Sequence, residues 1–163
     1  MREPAIARWP GRLPEGAVNM SVGSVLDFFP TCVALAGGTM PKDRPYDGIN
    51  LMPVLEGKES PERTIYFYRY QYLCAIRNGN WKLHFRYQNH PGREYIYANK
   101  TWIDAETPLL FDLEIDPSER FDVAQEHPDI VADLTEIAEE YKKEIESLGE
   151  NRDLAEWFMN GQK

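Results

Sequence analysis

Asn78 and Gly79 stand between "LCAIR" and "WKLHFRY", two runs rich in aromatic and β-branched residues. An Asn-Gly pair supplies the left-handed backbone that a tight hairpin needs, so the two runs are expected to pair as antiparallel strands. "TIYFYRYQY", just before them, has the same texture, and "LLFDLEI" alternates as a further strand should. The middle of the chain is thereby committed to an antiparallel sheet. "QNHPGRE" reads as a loop, and the stretch from Tyr95 to Thr107 fits neither period.

The flanks read as helices. Pro128 opens a long one, because Ile130, Leu134, Ile137, Tyr141, Ile145 and Leu148 recur at steps of three and four and Gly149 follows as a stop. "NRDLAEWFMNG" predicts a short helix with Leu154, Trp157 and Phe158 on one side. Toward the other end, "SVLDFFPTCVALAGG" predicts a helix from an Asp27 N-cap to a stop at Gly37 and Gly38. "DGINLMPVLEG" adds one or two turns between an Asn50 cap and Gly57. Pro4 to Trp9 reads as a short strand closed by Pro10 and Gly11, with nothing before it to pair with. The fold class is therefore α+β, with a change of texture between Gly57 and Pro61.

At 163 residues and 42% hydrophobic content the chain can bury a core. Its net charge is -9, and the strip from Glu126 to Glu156 alone holds eleven acidic residues against Lys142, Lys143 and Arg152. Such a field repels phosphate backbones, and no basic cluster offsets it, so nucleic acid is excluded as a partner. No apolar run approaches the ~20 residues of a spanning helix, and residues 1 to 20 lack a signal-peptide pattern, so a soluble chain without a membrane partner is expected. Cys32 and Cys74 are too few for a disulfide framework and are not spaced for zinc.

Asp112, Glu114, Asp116, Glu119 and Asp122 crowd one stretch. The first three sit where a calcium loop has its first, third and fifth ligands, but Pro117 and Val123 occupy the positions that need Gly and Glu. No metal ligand is assigned. The simpler expectation is a strand with Phe111, Leu113 and Ile115 on one face and Asp112, Glu114 and Asp116 solvated on the other, followed by an Asp-Pro turn at Asp116.

His90 and His127 lie beside prolines, as loop or cap residues. His84 differs, because alternation along "WKLHFR" sets Trp81, Leu83 and Phe85 on one face and Lys82, His84 and Arg86 on the other. With Arg69 and Arg77 on neighbouring segments, that face is suited to an anionic ligand; the plain alternative is an ordinary solvated sheet face. No histidine adjoins either cysteine, and there is no Gly-x-Ser-x-Gly elbow or phosphate-cradling glycine loop, so no catalytic residue is assigned.

"REPAIARWPG", "SVLDFFPTCVALAG", "DGINLMPVLEG", "AIRNGNWKLHF" and "LLFDLEIDPSERFDV" together resemble, in order and spacing, the C-terminal part of arylsulfatase-type sulfatases. The resemblance implies an alkaline-phosphatase-like α/β catalytic domain, followed by a small domain with a four-stranded antiparallel sheet and a packed C-terminal helix. On that template residues 1–57 are the tail of the catalytic domain, a strand and short helices, and 58–163 are the C-terminal subdomain. Sulfatases hydrolyse sulfate esters with a formylglycine, made from Cys or Ser in a Cys/Ser-x-Pro-x-Arg motif, beside a calcium ion. "TCVAL" and "LCAIR" lack that motif. The resemblance thus implies no cofactor in this chain, calcium and formylglycine in an intact parent, and an inactive fragment whose partners are the catalytic domain and a sulfated small molecule or carbohydrate. It places Arg69, Tyr70 and His84 at the rim that meets the substrate's leaving group, although the Glu-His pair of many relatives is missing near "YRYQY". The resemblance implies a parent that is secreted, periplasmic or lysosomal, as such sulfatases commonly are, and leaves the location of this chain open. Without the large sheet, Pro4 to Trp9 and the first helix should expose apolar faces and drive self-association. The competing class is a stand-alone module that binds an anionic partner on its cationic sheet face.

Overall fold

The computed structural model describes residues 3–43, 46–69, 72–88 and 102–147. The expected loop at "QNHPGRE", His90, Tyr70, Leu148, the stop at Gly149 and the short helix at "NRDLAEWFMNG" lie outside them. The chain divides into two units, 1–62 and 63–163.

In the first unit a 3-10 turn (Val25–Asp27) runs directly into α1 (Phe28–Leu35), and α2 (Met52–Leu55) follows after a loop. Asp27 stands at the N-cap position of α1, as expected, but its side chain makes no cap bond there; the side-chain cap is made at the start of the 3-10 turn by Ser24. Its Oγ accepts from Leu26 N at 3.3 Å, while Asp27 Oδ2 reaches back to accept from Ser24 N at 2.7 Å. This is a reciprocal capping box that begins one turn earlier than expected. The other Asp27 oxygen accepts from Ile49 N at 2.9 Å, so a fully buried carboxylate ties the helix start to the loop before α2. Thr31 Oγ1 makes a parallel tie to Leu51 N, and Asn50 Oδ1 accepts from Met52 N, as its expected capping role requires. Gly37, at φ +72°, ends α1. Pro4 to Trp9 forms no strand, because no second segment in the described part of this unit offers it a ladder.

The second unit carries β1 (Thr64–Arg69), β2 (Tyr72–Asn78), β3 (Trp81–Gln88) and β4 (Trp102–Asp112), in spatial order β1-β2-β3-β4, every pair antiparallel. The hairpin turn sits one residue later than expected. Asn78 pairs with Trp81, and the loop is Gly79 and Asn80, with the positive φ of 54° on Gly79 alone. That is the pattern of a type II′ turn, which places Gly first, rather than of an Asn-Gly type I′ turn.

Packing α3 (Pro128–Ser147) on one face of this sheet makes the core. Ile76, Leu83 and Leu110, one from each of three neighbouring strands, meet Leu134 and Ala138, and all five are buried. Tyr141, two turns after Leu134, stacks on Tyr66 with ring centroids 3.5 Å apart. Trp81 and Phe85 pack against the same cluster, as alternation along β3 requires, which sends Lys82, His84 and Arg86 to the opposite face.

Candidate functional site

The face of the sheet away from α3 carries the site. Cross-strand register aligns Phe67 with Ala75, Ala75 with His84, and His84 with Leu109, while Lys82 pairs with Phe111. These residues share one surface and line a cavity of about 480 Å3. A shift of register between Phe67 and Tyr68 leaves Cys74 as the extra residue of a bulge, and it too lines the cavity.

The chain after β4 covers this surface. The expected carboxylate-bearing strand face is not what forms: β4 ends at Asp112, Ile115 is 80% exposed and Asp116 is buried. Each carboxylate of the stretch instead holds part of a fold-back. Asp112 Oδ1 accepts from Glu114 N, Glu114 Oε2 accepts from Asn80 Nδ2, and Asp122 Oδ1 accepts from both Leu110 N and Ala124 N. Asp116 Oδ2 accepts from Arg120 N at 2.6 Å and Phe121 N at 2.8 Å. Burial pushes the Asp116 carboxyl up, but the N–H groups of Phe121, Arg120 and Ser118 outweigh it and hold the carboxyl below its ordinary value. The strand stops because satisfying these amides requires a turn rather than a ladder.

The turn sets Glu119 over the sheet. Glu119 takes a left-handed φ of 55°, the one such non-glycine among the described residues. Its Oε1 accepts from Lys82 Nζ and its Oε2 meets His84 Nε2, both at 2.7 Å. The bond from His84 depresses the Glu119 carboxyl most; burial opposes it, and the bond and charge of Lys82 add to it, leaving the group at about 2. His84 also sits edge-on to Phe111 at 5.5 Å, and Lys82 Nζ lies 4.6 Å from the centre of the Phe67 ring. The Arg86 guanidinium stacks over Tyr72 at 4.2 Å.

The expected cationic face therefore exists but is not an ordinary solvated one. Lys82 is buried under a carboxylate, and His84 shares that carboxylate. Arg77 bonds back to Gly79 O, and Arg69, at the exposed end of β1 opposite Tyr72, does not line the cavity. His127, read as a cap residue, packs its ring 4.9 Å from that of Trp81. Sequence reading missed the role of Glu119, whose one visible signal was its place in "DPSE", immediately after an Asp-Pro turn. Among the described residues no group of three His, Cys, Asp or Glu side chains could hold a metal ion, and no helix is long and apolar enough to cross a membrane.

Residues 60–159 match a protein family described as the C-terminal region of aryl-sulfatase. The chain is 35% identical over 162 residues to N-acetylgalactosamine-6-sulfatase of Canis lupus familiaris, covering 89% of this chain and 31% of that protein. It is 34% identical over 169 residues to arylsulfatase A of Bos taurus, covering 97% of this chain and 32% of the relative. Among solved structures, the PsFucS1 sulfatase from Pseudoalteromonas sp. superposes with a TM-score of 0.75 at 23% identity, over 85% of this chain and 29% of that one, a likeness of fold. The chain thus spans about a third of the length of these curated relatives.

Proposed function

Because the chain belongs to the aryl-sulfatase family, through that family's C-terminal region, we propose that it is the C-terminal part of a sulfuric ester hydrolase and does no chemistry alone. The observation that carries this is the family match over 60–159, together with the absence from the sequence of any Cys/Ser-x-Pro-x-Arg motif.

The family generally uses calcium and formylglycine. The residues here do not fit either: Cys32 lies in "TCVAL" and Cys74 in "LCAIR", the carboxylates between Asp112 and Asp122 are spent on backbone amides, Asn80, Lys82 and His84, and no three His, Cys, Asp or Glu side chains among the described residues converge on a metal site. No step through those groups is derived from this chain. They belong, on this reading, to a catalytic domain of which residues 1–57 are the tail, with 58–163 as the subdomain beside it.

Within that assembly the second unit supplies substrate contacts and stability. His84, Arg69 and Tyr70 are the residues proposed at the rim, where they meet the leaving group of a sulfated carbohydrate or aryl sulfate; the name of the canine relative supports a sugar. A stand-alone anion-binding module is not favoured, since Glu119 already answers Lys82 and His84, two of the groups on which such a module would rely.

The purified chain, supplied with calcium and a chromogenic aryl sulfate, is expected to show no turnover. Hydrolysis above the blank would overturn this reading.

A further inference from the structure

Asn78 and Gly79 do more than turn the chain. An asparagine side chain lies next to the amide N–H of the following residue, and loss of that proton lets the nitrogen attack the side-chain carbonyl carbon. A β-carbon on the following residue crowds the approach, and glycine has none. Gly79 is exposed, sits in the loop of the hairpin rather than in its ladder, and has open space where a side chain would stand. Arg77 Nε donates to Gly79 O at 2.9 Å, so a guanidinium charge stands beside the residue whose amide must become anionic.

Asn80, in the same turn, is the internal contrast. Its Nδ2 donates to Glu114 Oε2 at 2.6 Å, and its carbonyl accepts from Leu113 N at 2.8 Å. The residue after it is Trp81, which pairs with Asn78 in the ladder and packs against the core. Asn80 is thus both tied and crowded. Asn78 is restrained differently: its Nδ2 donates to Thr64 Oγ1 at 3.1 Å, across the register pair that ends the β1–β2 ladder. The bond draws the carboxamide across to β1 rather than along the chain to Gly79.

We propose that Asn78 is a site of spontaneous deamidation and that Thr64 is the residue that restrains it. When the Thr64 bond opens, the deprotonated Gly79 nitrogen attacks Asn78 Cγ. The new N–C bond closes a succinimide, the Cγ–Nδ2 bond breaks, and ammonia leaves with a proton from water. Water then opens the ring at either carbonyl, giving aspartate or an isoaspartate whose main chain runs through the former side chain. Nothing is oxidised or reduced, and the one co-reactant is water. Either product sets a carboxylate next to Arg77 in sequence. Isoaspartate also adds a methylene to the backbone between β2 and β3, the strands that carry Ile76 and Leu83 into the core. The second unit therefore ages from its hairpin.

The test is peptide mapping by mass spectrometry of the full chain, held folded at mildly alkaline pH for a series of times, with each asparagine scored for conversion to a carboxylate. Asn160, which precedes Gly161 and lies outside the described residues, is scored separately. Asn78 should convert while Asn80 stays an amide. Thr64→Val should speed conversion of Asn78 about fivefold, the factor that one ordinary hydrogen bond is worth. Thr64→Ser, which keeps the hydroxyl, should match wild type. Conversion of Asn80 as fast as Asn78, or none at Asn78 by the time the urea-unfolded chain has converted there, would overturn the site. Equal rates in Thr64→Val and wild type would overturn the restraint. Should circular dichroism show Thr64→Val unfolded, wild type in urea replaces it, and a rate there no higher than in the folded chain overturns the restraint.

Discussion

His84 and Glu119, 35 residues apart in sequence, meet at 2.7 Å, and this contact fastens the turn after β4 to the middle of β3. Lys82 shares the same carboxylate. The cluster converts what would be a row of like charges on a strand into a covered, nearly balanced surface. It also explains why a non-glycine residue accepts a left-handed backbone at Glu119: the bonds to Lys82 and His84 offset the strain.

The first prediction concerns acid. Glu119 titrates at about 2 in the fold against an ordinary 4.5. Its contribution is therefore complete above about pH 4.5 and is lost as pH falls toward 2. Glu119→Gln should cost about 1–2 kcal/mol at pH 7. Urea unfolding at both pH values should show the variant and wild type converging near pH 2, and an undiminished gap there would count against the assignment.

The second concerns the core. Leu83 is fully buried between Ile76 and Leu110 and faces α3. Leu83→Ala removes three carbons from a close-packed site and should cost about 3 kcal/mol. Denaturant unfolding followed by far-ultraviolet circular dichroism measures it; a loss below about 1 kcal/mol would mean that the helix and sheet repack freely.

The third concerns association. In the first unit Ile6, Val18 and Met20 are 97%, 86% and 79% exposed, and Phe28 on α1 is 64% exposed. Several large apolar side chains so exposed in one small unit are the kind of surface that a partner covers. The proposed cover is the catalytic domain; without it, copies of the chain should self-associate. Light scattering should give a concentration-dependent mass above one chain, and a constant single-chain mass would refute this.

The contrast between what the sequence showed and what it hid follows from range. Periodicity within an element was legible: Leu83 inward and His84 outward on β3, and Leu134 and Tyr141 on one stripe of α3, follow from local repeats alone. The Gly79 hairpin and the Pro128 helix start came from backbone chemistry that those residues impose. What stayed hidden was every feature set by a partner distant in sequence. The site of Glu119 depends on Lys82 and His84, and the burial of Asp27 depends on Ile49. Alternation in "LFDLEI" misled for a more local reason, since the amides of Arg120 and Phe121, four and five residues on, competed for Asp116 and ended the strand early.

The last prediction tests that long-range tie in the first unit. A Cβ on Gly48 would lie 2.1 Å from the Leu26 carbonyl oxygen and 3.2 Å from Asp27 N, both backbone atoms that cannot swing aside. Gly48→Ala must therefore push the loop off the 3-10 turn, and the adjacent Ile49 N–H would leave the buried Asp27 carboxylate. A buried charge that loses an amide partner costs about 1–3 kcal/mol, so the damage should exceed what the small methyl suggests. Hydrogen exchange should quicken at Ile49 and Ser24, while the amides of β2 and β3 keep their protection. Unchanged exchange at Ile49 would show that the loop does not approach the turn this closely in solution.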